Sequence, residues 1–222
     1  MTIPGAAVDV STYEERVARH VPGVRDLHRM AGLLLAESAP PDGCILVLGA
    51  GGGMELRALA AMEPDWRFDG VAPSPDMLDQ ARTAVGKDRD RVTFHQGYIE
   101  DAPEGPFDGA TCFLTLHFLP RAERLRTLRE IHRRLRPGAR FVAAHHSYPR
   151  DEADIWLSRN ARLLHPERGA EEKVAASVEM MKANLPALSP EQDEALLREA
   201  GFTDVRLFYA GFTFRGWVGT RG

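Results

Sequence analysis

Cys44-Ile45-Leu46-Val47-Leu48-Gly49-Ala50-Gly51-Gly52-Gly53-Met54-Glu55-Leu56 sets the architecture expected of the rest of the chain. The unbroken apolar run Cys44 to Leu48 predicts a strand buried on both faces, and Met54 to Met62 carries a helical pattern. Between them the glycines predict a sharp turn. Without a Cβ, their backbone can take positive φ and come into van der Waals contact with a ligand, so strand, turn and helix together predict a nucleotide-type pocket.

The pattern repeats downstream. Strands are expected at Trp66–Val71, Arg91–Gln96, Phe107–Leu114 and, after the turn Arg136-Pro137-Gly138, at Ala139–His146. Helices are expected at Met77–Val85 and Arg121–Leu135. Strand-helix units with short connections predict a mainly parallel sheet with helices on both faces and a ligand at the carboxyl ends of its strands. Upstream, Ser11-Thr12-Tyr13-Glu14-Glu15 opens one helix and Val24–Ser38 forms a second. Residues 150–189 interrupt the alternation with two charge- and methionine-rich helices, Asp151–Leu164 and Glu171–Leu185, which read as a cap. Gln192–Ala200 then precedes a strand pair, Val205–Tyr209 and Phe212–Val218, joined at Ala210-Gly211. One domain is expected, divided into N-terminal helices (1–42), a core (43–149), a helical cap (150–189) and a closing helix with strand pair (190–222).

The 222 residues are enough to bury a substantial core, and the formal charge of -4 gives no overall attraction for nucleic acid or anionic lipid. Cys44 and Cys112 sit inside apolar runs and read as buried free thiols in a reducing, cytoplasmic compartment. No apolar run approaches the roughly 20 residues that span a bilayer. Adjacent His145 and His146 lack a Cys or carboxylate at ligand spacing, which argues against zinc. The arginines of 121–136 read as a solvated helix face mixed with Glu123 and Glu130.

ILVLGAGGGMEL, GVAPSPDMLDQA, QGYIEDAPEGPFDGATCFLTLHFL and LRPGARFV, in this order and spacing, resemble the class I S-adenosylmethionine-dependent methyltransferases. VARHVPGVRDLH, TLHFL and the closing REAGFTDVRLFYAGFTFRGWVG are similar to the small-molecule branch that includes carboxy-S-adenosylmethionine synthase. The resemblance implies a Rossmann-like, seven-stranded sheet with the last strand antiparallel and S-adenosylmethionine across the ends of the first four strands. It places Gly49, Ala50, Gly51 and Gly53 against the methionine and ribose, and Ala72 and Pro73 at the ribose. Met77, Tyr98 and Ile99 fall around adenine, Phe113 and Leu114 beside the sulfonium, and Arg19 at the cofactor carboxylate. The family's usual acids are replaced by Val47 before the first glycine, Ala72 after the second strand and Tyr98 after the third.

The activity this implies is methyl transfer to a small molecule. His117, His146 and Tyr148, just beyond the fourth and fifth strands, are candidates to face the acceptor and act as base; alternation sends His145 and His146 to opposite faces. The apolar cap suits a small organic acceptor or a tight homodimer contact. Rival readings are a carboxy-S-adenosylmethionine synthase-like activity and a binding or regulatory protein that keeps the fold without turnover.

Overall fold

The structure, a computed structural model, describes residues 13–222. Ser11 and Thr12, and the opening Met1 to Gly5, lie outside the described residues. Helices α1 (Tyr13–His20) and α2 (Val24–Ala36) precede β1 (Cys44–Leu48), α3 (Met54–Met62), β2 (Arg67–Ala72), α4 (Pro75–Val85) and β3 (Val92–Gln96). Then come β4 (Phe107–Phe113), α5 (Arg121–Arg134) and β5 (Leu135–His146), the pair α6 (Ala153–Leu164) and α7 (Glu171–Asn184), and finally α8 (Pro190–Glu199), β6 (Phe202–Gly211) and β7 (Phe214–Arg221).

The seven strands form one sheet in the order β3-β2-β1-β4-β5-β7-β6. β1 to β5 pair in parallel, and β7 runs antiparallel to both β5 and β6. Alternation along the apolar strands explains the layers. Ile45, Val47 and Phe113 meet Leu27, Ala31, Leu56 and Leu59 from α2 and α3 on one face. Leu46, Ala110 and Ala143 meet Leu125, Leu128 and Leu196 from α5 and α8 on the other. A third apolar cluster joins Leu157 and Ala161 of α6 to Val174, Val178 and Met181 of α7 around Tyr148, with Phe118 against it. Among the described residues, no helix is long and apolar enough to cross a membrane.

Several boundaries differ from expectation for local reasons. β2 starts one residue late because Trp66 turns its indole N–H to Pro40 O (2.9 Å) and buries its ring at the strand's base. Ser74 caps α4, its hydroxyl accepting from Met77 N, with Pro75 at the first helical position, so the helix starts two residues early. Arg136-Pro137-Gly138 belongs to β5 as a bulge: pairing passes from Phe107↔Leu135 to Gly109↔Arg140. The final hairpin turns at Phe212-Thr213, two residues beyond Ala210-Gly211. Gly211 pairs with Phe214, and Phe212 takes φ 49°. The arginines of α5 are not all solvated, since Arg124 and Arg134 are buried.

Candidate active site

Immediately after β1 the chain takes φ 85° at Gly49 and 80° at Gly52. The turn is held by Gly49 N and Ala50 N donating to Val71 O on the neighbouring strand (2.8 and 3.1 Å). A Cβ at Gly49 would lie 2.0 Å from Thr115 Oγ1, and Thr115 itself donates to Phe113 O (2.9 Å). A Cβ at Gly51 would meet Met77 Cε at 2.9 Å, and one at Gly52 would meet the Tyr13 ring at 2.6 Å. The turn is therefore a shallow backbone cradle walled by one earlier segment, α1, and two later ones. Gly53 has a different use: its missing side chain lets the start of α3 rest on Ala81 of α4, 2.8 Å from where a Cβ would stand.

Over this cradle opens a cleft of about 540 Å³ at the carboxyl ends of β1 to β4, within the range of about 300–1,000 Å³ typical of small-molecule sites. Gly49 and Gly51 form its floor, Ala72, Pro73 and Ser74 one side, and Met77, Tyr98 and Ile99 another. Thr115, Phe118 and Leu119 close it beyond β4. A recess of about 30 Å³ shares Tyr13, Gly49 and Gly51 with the cleft and continues between Ala50, Phe113, Leu114 and Glu55.

The recess is electrostatically unusual. Burial pushes the Glu55 carboxyl up to about 8, against the opposing influence of the nearby Thr111 hydroxyl. Glu55 Oε1 and Thr111 Oγ1 each lack a hydrogen bond of acceptable geometry. His28, stacked on Phe113 with ring centroids 5.6 Å apart, is held down to about 4 by burial and by the Arg57 charge. Its imidazole is neutral at pH 7.

Of the residues singled out in the sequence, Gly49, Gly51, Ala72, Pro73, Met77, Tyr98 and Ile99 line the cleft. Ala50, Phe113 and Leu114 line the recess. Arg19 turns outward, with 71% of its side chain exposed and an ion pair to Glu15 at 3.3 Å. The structure does not bring His117, His146 or Tyr148 to the cleft or the recess. His117 Nδ1 accepts from His146 N (3.2 Å), His146 Nδ1 meets Thr213 Oγ1 (2.9 Å), and the His146 ring packs on Phe214 at 4.0 Å. Burial, reinforced by neighbouring histidines, holds both imidazoles well below their ordinary value, so both are neutral. Tyr148 is 1% exposed within the α6–α7 cluster. His145 does face the opposite side of the sheet, beside Trp217 and Asp193.

Sequence reasoning passed over Tyr13, Thr115, Glu100, Glu123 and Arg126, all of which line the cleft. Thr115 was findable, because it follows β4 as the glycines follow β1. Glu123 and Arg126 read as solvated because the helical pattern cannot show that the amino end of α5 borders a cavity. Arg126 is ion-paired with Glu100 at the rim. Among the described residues, no group of three His, Cys, Asp or Glu side chains is placed to hold a metal.

A methyltransferase-domain family model matches residues 45–138. A demethylmenaquinone methyltransferase from Symbiobacterium thermophilum is 31% identical over 198 residues, which cover 82% of this chain and 77% of the relative. The chain belongs to the class I S-adenosylmethionine-dependent methyltransferases. A carboxy-S-adenosyl-L-methionine synthase from Chromohalobacter salexigens is 25% identical to this methyltransferase over 94% of the chain and 80% of that relative. An O-methyltransferase family protein from Burkholderia thailandensis shares the fold with a TM-score of 0.71 at 16% identity, over 96% of this chain and 59% of that one. This methyltransferase thus spans less than two thirds of that structure's length.

The cofactor of the family is S-adenosylmethionine, and the cleft fits it on independent grounds. Gly49 and Gly51 line an apolar slot of sufficient volume with backbone that carries no Cβ, and the buried Glu55 carboxyl, with one oxygen lacking a partner, lines the adjoining recess. The acids usual in the family stay absent from the cleft. Asp69, the nearest candidate in sequence, is committed to His95 Nε2 at 2.6 Å and accepts from Cys44 Sγ at 3.4 Å.

Proposed function

We propose that this methyltransferase moves the methyl group of S-adenosylmethionine to a small, largely apolar acceptor held over the cleft beside Thr115, Phe118 and Leu119. The observation that carries the reading is the glycine cradle, which opens upward into the slot between Met77, Tyr98 and Ile99. When bound, the cofactor supplies a methyl already activated by its sulfonium. The protein's contribution is to orient two reactants and keep water away. Met77, Tyr98 and Ile99 offer apolar contact to an adenine, and the Ser74 and Thr115 hydroxyls stand where neutral acceptors and donors can reach a ribose.

The α6–α7 pair acts as an acceptor lid within a single catalytic domain. Its apolar cluster reaches the cleft through Phe118, which packs against that cluster and lines the cavity. No histidine lines the cleft among the described residues. The acceptor is therefore one whose attacking atom is neutral or readily ionised, without dependence on an imidazole base. A carboxy-S-adenosylmethionine synthase-like chemistry would need a cation free to hold a carboxylate. Among the described lining residues the cation is Arg126, already paired with Glu100. The chain's negative balance places the acceptor among small molecules and away from polyanions, and its two free thiols suit a cytoplasmic setting.

Isothermal titration with S-adenosylhomocysteine tests the reading. Saturable binding is expected, and no heat at millimolar ligand would overturn it. Mass spectrometry of a metabolite library incubated with S-adenosylmethionine then identifies the acceptor by a gain of one methyl.

A further inference from the structure

Val47 stands where the family usually places an acid, and the recess shows what replaces it. Val47 is fully buried on the sheet face covered by α2 and α3 and is in register with Thr111 of β4. Glu55, the second residue of α3, reaches the same face: it is 7% exposed, its carboxyl is influenced by Thr111, and it lines the recess. A carboxyl group thus comes from the helix above to the strand position where the side chain is apolar.

Its situation is costly without a ligand. A carboxyl oxygen shut away from water and left unbonded loses its hydration without replacement, on the order of 1–3 kcal/mol. Among the described residues neither lysine nor arginine lines the recess, and His28 is neutral and stacked on Phe113. The missing partner is a compact cation that enters along Gly49 and Gly51 from the cleft. The amino-acid end of S-adenosylmethionine carries one.

We infer that Glu55 is the counter-charge for the α-ammonium of the cofactor's methionine portion, replacing the acid that Val47 lacks. The assignment rests on the proposed function and deepens it. Ionising Glu55 for this role means giving up the proton it mostly holds at pH 7 when the recess is empty, so cofactor binding should release most of one proton.

Two titrations of the full chain test the assignment. Wild-type protein and Glu55→Gln are each titrated with S-adenosylhomocysteine and with 5′-methylthioadenosine, which keeps the adenosine and sulfur but has no amino-acid end. Glu55→Gln should bind S-adenosylhomocysteine at least about tenfold more weakly while its affinity for 5′-methylthioadenosine stays within about twofold. Equal losses for both ligands, or no loss for either, would overturn it. Independently of any variant, titrating the wild type in buffers of different ionisation enthalpy should show proton release at pH 7, and none would also overturn it. Failure of the wild type to bind S-adenosylhomocysteine sinks the cofactor reading and this assignment together. Binding by the wild type with an unselective Glu55→Gln sinks the assignment alone.

Discussion

Gly49 holds two constraints in one residue, a φ of 85° and a Cβ position 2.0 Å from the Thr115 hydroxyl. Gly138 shares the first constraint, with φ 82°, but has open space where a Cβ would go. Comparing the two separates backbone strain from collision. Gly138→Ala should cost about 1 kcal/mol through φ alone, whereas Gly49→Ala must also displace Thr115 from Phe113 O and should cost about 3 kcal/mol or more in urea denaturation. Ala72, which lines the cleft at the end of β2, poses the complementary question of what an added acid contributes. If the ribose lies against this strand end, Ala72→Asp should tighten S-adenosylhomocysteine roughly tenfold by calorimetry; unchanged affinity would argue for another pose. The glycine floor was legible because it directly follows the apolar run of β1, and the Ala72, Met77 and Tyr98 walls because the resemblance to the family places them at and beyond the ends of β2 and β3. His117, His146 and Tyr148 were not. Alternation assigns a side chain to a face of β5, but β7 covers that face with Phe214, far along the chain, and α6 and α7 close around Tyr148.

At the scale of elements, α5 shows how a helix that reads as basic and solvated can fasten the molecule internally. Arg124 is fully buried, donating to Asp193 Oδ1 at 2.5 Å, Pro186 O at 3.2 Å and Leu119 O at 3.4 Å. One guanidinium thus ties α5 to the first turn of α8 and to the segment leaving α7. Replacing Arg124 with Met would strip the buried Asp193 carboxylate of its guanidinium and leave it with His145 Nε2, at 3.2 Å, and chemical denaturation should show a loss of about 3 kcal/mol. The double replacement Arg124→Met with Asp193→Leu should recover much of that, because the pair's attraction largely offsets its own desolvation. The contact is invisible to sequence periodicity: Arg124 sits among exposed arginines, and its partner lies 69 positions away. Element types, by contrast, could be read almost throughout, since strands of continuous apolar residues and capped helices announce themselves locally. Ends that depend on distant pairing, such as the bulge at Leu135–Arg140 and the turn at Phe212-Thr213, could not.

For the whole molecule, burial of ionisable groups on both sides of neutrality sets how stability should vary with pH. His28 is held near 4, His20 likewise by burial and by Arg16, and His117 and His146 lie well below their ordinary value. Unfolded, these imidazoles take up protons near pH 6.5 that the native protein refuses until far lower pH. The unfolded state therefore binds more protons below about pH 6.5, and stability falls as pH drops through that window. Glu55 acts in the opposite sense. Its native value of about 8 exceeds the unfolded value of 4.5, so between these limits the native protein holds the extra proton, and stability declines as pH rises toward 8. From pH 4.5 to 6.5 four imidazoles outweigh one carboxyl. Above about pH 7 the carboxyl outweighs the residual imidazole uptake, with a net slope of about 0.5 kcal/mol per pH unit. Thermal denaturation of the ligand-free protein should therefore peak near pH 7 and decline on both sides. Glu55→Gln should abolish the alkaline decline and melt above the wild type at pH 8, while steepening the acid limb that the carboxyl partly offsets. An alkaline limb that survives in Glu55→Gln would mean that Glu55 is already ionised and compensated in the empty protein.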